Sequence, residues 1–176
     1  MNDELFEIVD EQGGVLGLRP RRECHGNPAL IHQAVHVLVF NEGGDLFLQK
    51  RTRTKDIQPG KWDSSVGGHM QPGETPEQAA LREAEEELGL RNTPLHFAYQ
   101  YIWRSSRETE LIRTYVAISA GPFQLQASEI DDGRFWPNAE ITAQLGCDCF
   151  TPNFEFEFRK FSTEGQTVLK HLLAKT

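Results

Sequence analysis

The stretch GHMQPGETPEQAALREAEEELGL, from Gly68 to Leu90, constrains this chain of 176 residues more tightly than any other. Thr75 is a good N-cap, Pro76 suits the first helical position, Gln78 completes a capping box, and Gly89 supplies a left-handed stop. A helix over roughly 76 to 88 is predicted. At about 100° per residue, with Glu83 at the origin, Glu87 falls near about +40° and Glu86 near about −60°. Ala80, Ala84, Leu81 and Leu88 form the adjoining stripe. One stripe is expected to pack and its neighbour to be acidic. Like charges at i,i+4 cost a few tenths of a kcal/mol, so three glutamates on one face need a compensating partner, and a hard divalent cation is the obvious one. The bland alternative is a solvated, glutamate-rich surface helix.

The remaining chain reads as one domain. Its 38% apolar content suits a single core at this length. No run is long or apolar enough to span a membrane, and the start of the chain lacks a basic, apolar signal. Cys24, Cys147 and Cys149 are odd in number and lack zinc spacing, which points to a reducing cytoplasm. A formal charge of −8 argues against binding a nucleic-acid polymer. One segment is locally basic, with Lys50, Arg51, Arg53, Lys55 and Lys61 running directly into the acidic helix. It serves either to hold an anion or merely to solvate a loop.

A β-hairpin is expected over residues 4–19, from LFEIVD and Val15 to Leu18 around a Gln-Gly-Gly turn, followed by a polar connection, Arg19 to Asn27. Ala34 to Phe40 reads as a central strand, with His36 as a hydrogen-bonded core residue, and Asp45 to Lys50 as the next strand. Trp62 to Gly67 is expected to form a short strand delivering Gly68. Leu95 to Trp103, Leu111 to Ser119 and Gly133 to Trp136 are further strands, and Ala139 to Leu145 a short helix. Near the end, Phe154, Phe156 and Phe158 alternate as in a strand, whereas Phe154, Phe158 and Phe161 repeat as in a helix. The helix-start signal Thr151-Pro152 favours helix, and a last helix follows from about Thr163 to Ala174. Helices over about 152–175 and strands around an embedded helix fit the α/β class.

Taken with its spacing, the stretch resembles the Nudix box: Gly68, Glu74, Arg82-Glu83, Ala84, Glu86-Glu87, Gly89 and Leu90 all fall at its positions. Ala84 alone departs, being smaller than the usual aliphatic residue. The resemblance implies a single Nudix domain, an α/β/α sandwich around a mixed sheet, whose loop and helix at 68–90 hydrolyse a diphosphate with Mg²⁺ or Mn²⁺. It implies metal ligation by Glu83, Glu86, Glu87 and Gly68, with Glu86, Glu87 and Arg82 as catalytic candidates. Arg82 and Glu74 are expected to orient the ligands rather than react.

The chain is also similar, through about Val116, to the isopentenyl-diphosphate isomerase branch of the superfamily. That similarity implies a second metal site at His25, His32, His69, Glu108 and Glu110, and a diphosphate grip at Arg21, Arg51 and Lys55. Glu108 and Glu110, two apart on a strand, would share a face, and imidazoles with carboxylates suit Mn²⁺ or Zn²⁺. Two features oppose isomerisation: Gly67 stands where that branch carries a proton-transferring cysteine, and the box is intact. The expected activity is hydrolysis of a diphosphate linkage in a nucleoside diphosphate derivative or related small molecule. An isomerase-like enzyme and a non-catalytic nucleotide-sensing module are the alternatives. Trp62, Tyr99, Tyr101 and Trp103 are candidates to stack on a substrate or to fill the core.

Overall fold

A computed structural model describes residues 4–55 and 57–175. In chain order, the elements are β1 (Leu5–Val9), β2 (Val15–Pro20), α1 (Arg21–Cys24), β3 (Ile31–Phe40), β4 (Leu46–Arg51), β5 (Trp62–Asp63) and β6 (Val66–His69). There follow α2 (Pro76–Leu88), β7 (His96–Arg104), β8 (Thr109–Ile118), β9 (Ile130–Trp136), α3 (Asn138–Gln144), α4 (Pro152–Lys160) and α5 (Gln166–Leu173).

The sheet is mixed and organised on β3. This strand pairs parallel with β8 over its whole length, and antiparallel with β1, β6 and β4 in turn along its other edge. All ten of its residues are buried, as a nearly continuous apolar run requires of a strand covered on both faces. Alternation then divides the core. Val35, Val37 and Val39 pack with Ala79, Ala80, Ala84 and Leu88 of α2. Ala34, Leu38 and Phe40 pack with Phe154, Phe158, Phe161 and Leu169 from the C-terminal helices. The expected sandwich is thus present.

Several boundaries differ from the sequence reading. The Trp62–Gly67 strand is two short strands, β5 and β6, broken at Ser64 and Ser65. Both serines are buried, and their hydroxyls bond to Glu157 and to the Phe47 carbonyl rather than leaving a continuous ladder. The polar connection 19–27 contains the single turn α1, which buries Cys24 and so fixes His25. The C-terminal helices form one run, because the wide π-turn Phe161–Gly165 joins α4 directly to α5. Helix wins over strand in the phenylalanine segment: Phe154, Phe158 and Phe161 are buried, while Phe156 is exposed.

Candidate functional site

Helix α2 forms as its sequence dictates. Thr75 Oγ1 accepts from Gln78 N at 3.2 Å and Gln78 Oε1 accepts from Thr75 N at 2.9 Å, closing the capping box. Gly89 ends the helix at φ +64°, where a side chain would be strained.

The burial of its faces departs from expectation. Leu81, placed on the packing stripe, is 44% exposed, while Ala79, Ala80, Ala84, Leu88 and Glu87 are buried. The buried arc is turned toward the glutamates, so Glu83 and Glu87 lie within it rather than beside it. A hydrophobic wheel assigns carboxylates to water and misses this.

Each box carboxylate has a defined setting. Glu87 Oε2 accepts from Gln49 Nε2 at 2.9 Å and from Gly67 N at 3.2 Å. Burial, and then the neighbouring Glu83 charge, push its pKa up to about 8. Burial also raises Glu83, in spite of Arg82 beside it. Gly68 lets Glu83 approach so closely that a Cβ there would lie 2.1 Å from the carboxyl carbon. Glu86 stands at the rim with its side chain half exposed.

Arg82 ties the group together. Its guanidinium donates to both oxygens of Glu74 at 2.7 and 2.9 Å, to Glu83 at 2.7 Å, to Glu86 at 3.3 Å and to the His69 carbonyl at 3.1 Å. Every donor direction is engaged in holding carboxylates and main chain, which is an orienting arrangement. The two inner carboxylates, both raised, mark a place short of positive charge, and clustered oxygen ligands of this kind suit Mg²⁺ or Mn²⁺.

A second cluster assembles from four parts of the chain. His25 follows α1, His32 lies on β3, His69 ends β6, and Glu108 and Glu110 lie just before and on β8. The β3–β8 register sets His32 opposite Glu110, and the β3–β6 register sets Ala34 opposite His69. Phe6 of β1, fully buried, forms the platform, with its ring stacked on His69 and His32 at 4.5 and 5.0 Å between centroids.

Candidate ligand atoms of His25, His32 and His69 lie within 4.8 Å of one another, as do those of His32, Glu108 and Glu110. His69 Nε2 is 3.3 Å from Glu110 Oε1, and His25 Nε2 is 3.3 Å from Glu108 Oε2. Yet His25 Nε2, both ring nitrogens of His32 and Glu108 Oε2 are buried with no hydrogen-bond partner among the described residues. Such atoms are costly to leave unsatisfied. Burial and the neighbouring imidazoles lower His25 to about 4, and burial above all lowers His32 to about 3, so both stay neutral with lone pairs available. Burial alone would raise Glu110, but the hydrogen bond and charge of His69, with the other imidazoles, hold it at about 2. Neutral imidazoles beside ionised carboxylate fit a divalent transition metal.

Both clusters open into one cavity of about 620 Å³. Of the sequence-predicted cations, Arg21, Arg51 and Lys55 reach its wall, each also paired with a carboxylate: Glu4 at 2.8 Å, Asp63 at 3.2 Å, and Glu129. The rest of the basic segment turns elsewhere. Lys61 pairs with Asp148, Lys50 lies 5.8 Å above the Trp62 ring, and Arg53 is exposed. Among the aromatic candidates, Trp103 lines the cavity, whereas Tyr99 and Tyr101 are core residues and Trp62 packs edge-on against Trp136.

Sequence reasoning missed Gln49, the partner of Glu87. A signal existed: Gln49 and Arg51 are two apart on one strand and so share a face. It also missed Glu157, which hydrogen-bonds His36 across 121 residues of chain, beyond any local pattern.

The NUDIX domain model matches residues 30–153. An uncharacterised Nudix hydrolase of Yersinia pestis is 39% identical over 154 residues, 85% of this chain and 81% of that protein. An isopentenyl-diphosphate Delta-isomerase of Streptomyces avermitilis is 35% identical over 156 residues, 85% of this chain and 79% of its own length. In fold, the chain is similar to a crystal structure from Deinococcus radiodurans, with TM-score 0.78 at 22% identity, covering 89% of this chain and 98% of that one. A MutT protein from Methanosarcina mazei matches at TM-score 0.66 and 22% identity, covering 77% and 94%. With a matching domain model over most of its length and close hydrolase relatives, the chain belongs to the Nudix family, as a hydrolase acting on pyrophosphate bonds.

Proposed function

We propose that the chain hydrolyses the diphosphate linkage of a nucleoside diphosphate derivative or related small molecule, dependent on Mg²⁺ or Mn²⁺, in a cytoplasmic setting. One observation carries the reading: Glu83, Glu86 and Glu87 line the same cavity as Arg51 and Lys55. Glu83, Glu86 and Glu87, with Gly68 leaving room beside Glu83, would hold the ion. A bound ion of this class neutralises phosphoryl charge and lowers the pKa of bound water. The chain's own groups do the rest. Gln49 and the Gly67 amide fix Glu87, and Arg82 and Glu74 hold the ligand set. Arg21, Arg51 and Lys55 bind the diphosphate. Water adds to one phosphorus and gives its proton to a carboxylate, the bond to the bridging oxygen breaks, and the departing phosphate leaves against Arg51.

The histidine cluster favours a second reading, an isomerase-like enzyme, because those atoms are poised for a metal irrespective of hydrolysis. Gly67 opposes it, having no side chain to move a proton. A panel of nucleotide, sugar, coenzyme and isoprenoid diphosphates, assayed with Mg²⁺ and with Mn²⁺, separates the two. Hydrolysis supports our reading; deuterium exchange into isopentenyl diphosphate without phosphate release contradicts it, and binding without turnover would make the chain a sensor.

A further inference from the structure

His36 was expected as a hydrogen-bonded core histidine, and its surroundings give it more to do. Its Nδ1 lies 2.7 Å from Glu157 Oε2. Glu157 is fully buried and accepts also from Ser64 Oγ at 2.8 Å and Thr114 Oγ1 at 2.6 Å, so three donors fix the carboxylate. His36 is buried, at 7% exposure, yet it reaches the wall of the cavity shared by the two clusters. Its other nitrogen, Nε2, makes no hydrogen bond among the described residues and is not among the buried orphans. That nitrogen therefore faces the cavity.

Gly67 keeps it open. His36 and Gly67 are register partners on β3 and β6, and a Cβ at Gly67 would sit 3.2 and 3.3 Å from Cδ2 and Nε2 of the ring. The amide of the same glycine donates to Glu87. One residue without a side chain thus separates the acidic helix from an imidazole whose far end is clamped by a carboxylate.

We propose that His36, positioned by Glu157, is a substrate-contacting residue whose Nε2–H donates to an anionic oxygen of the diphosphate bound over Gly67. The proposal rests on the diphosphate reading above. Glu157 outweighs the cost of burial and raises His36 to about 9, so at neutral pH the ring carries the donor this contact needs. A phosphate's second ionisation lies near about 6. The ring thus has little tendency to surrender its proton to a leaving phosphate, and it acts as an anchor rather than an acid. The pair is neutral as a whole, but its negative end is buried beneath three donors and its positive end faces the substrate.

The test uses the full chain with ¹⁵N-labelled histidine, Mg²⁺ and methylenediphosphonate as probe. In the wild type, the His36 Nε2 resonance should move on adding the probe, and Gly67→Ala, which covers that nitrogen, should weaken probe binding about tenfold or more, the loss of a hydrogen bond between charged groups. Glu157→Gln should weaken binding severalfold and alter the His36 Nδ1 resonance before any probe is added. If the probe shifts the Gly67 and Gly68 amides while His36 Nε2 stays still and Gly67→Ala binds normally, His36 is structural and the proposal is overturned, with the diphosphate reading intact. If the wild type does not bind the probe at all, the diphosphate reading itself fails and takes this contact with it. The resonance experiment on the wild type decides the matter even if a variant does not fold.

Discussion

The glutamates of α2 and the histidine cluster share one cavity but are built in opposite ways. Glu83, Glu86 and Glu87 come from one turn of one helix, and each accepts a hydrogen bond from Arg82, Gln49 or Gly67. The cluster of His25, His32, His69, Glu108 and Glu110 is gathered from four places in the chain and, among the described residues, leaves four buried polar atoms without a hydrogen bond. The first group is preorganised by protein donors that persist whether or not an ion is present. The second pairs His69 with Glu110 but leaves those four atoms unsatisfied among the described residues. On the proposed function, this difference predicts that cations on the helix exchange readily while one in the cluster is held tightly.

The sharpest way to break this division is at Glu87. Glu87→Gln should reduce turnover about a thousandfold or more, comparable with removing a central electrostatic group from an active site, while folding stability changes little because the buried carboxyl already favours its neutral form. Steady-state kinetics and thermal unfolding read both; wild-type turnover would move the chemistry to the histidine cluster.

The directly hydrogen-bonded pair of His36 and Glu157 provides the contrast to the cluster. His36 is raised from 6.5 to about 9, so its stabilising contribution is present in full below pH 6.5 and is lost as pH rises toward 9. Thermal melts should show the wild type losing stability across that window. Glu157→Gln should remove the slope and cost about 3 kcal/mol, as breaking a buried pair does. An unchanged slope would mean that His36 does not carry its charge in the folded state.

Cation binding should stabilise the folded chain by about 2.7 kcal/mol at a hundredfold excess over Kd. Titrating Mn²⁺ against melting temperature should give two phases, the tighter removed by Glu110→Gln and the weaker by Glu83→Gln. A single phase, abolished by Glu83→Gln alone, would leave the cluster without an ion. The smallest effect belongs to the wall: Lys55→Ala should raise KM about tenfold or less with kcat nearly unchanged, since Lys55 is already paired with Glu129. An unaltered KM would make that loop merely solvating.

The same contrast governs what could be read before the structure was known. Thr75, Gln78 and Gly89 act within a few residues, so the capping of α2 was legible in full. The central strand was legible because β3 is buried on both faces and its composition shows it. Which way α2 turned was not, because the wheel treats Glu87 as a surface residue while the sheet above it supplies Gln49 and an amide. His32, His69 and Glu110 meet only through the registers of β3 with β6 and β8, and resemblance to a known branch, rather than spacing, pointed to them. Glu157 lay beyond both routes: no local pattern in its phenylalanine-rich segment marks it, yet on α4 it falls one turn from Phe154 and beside Phe158, on the buried face.

The central claim is that the α2 glutamates gather divalent ions against a diphosphate, and anomalous diffraction from crystals grown with Mn²⁺ and methylenediphosphonate tests it most directly. The account predicts manganese peaks within bonding distance of Glu83, Glu86 and Glu87, with the probe between them and Arg51. Manganese confined to the histidine cluster, with the probe absent from the helix, would contradict it.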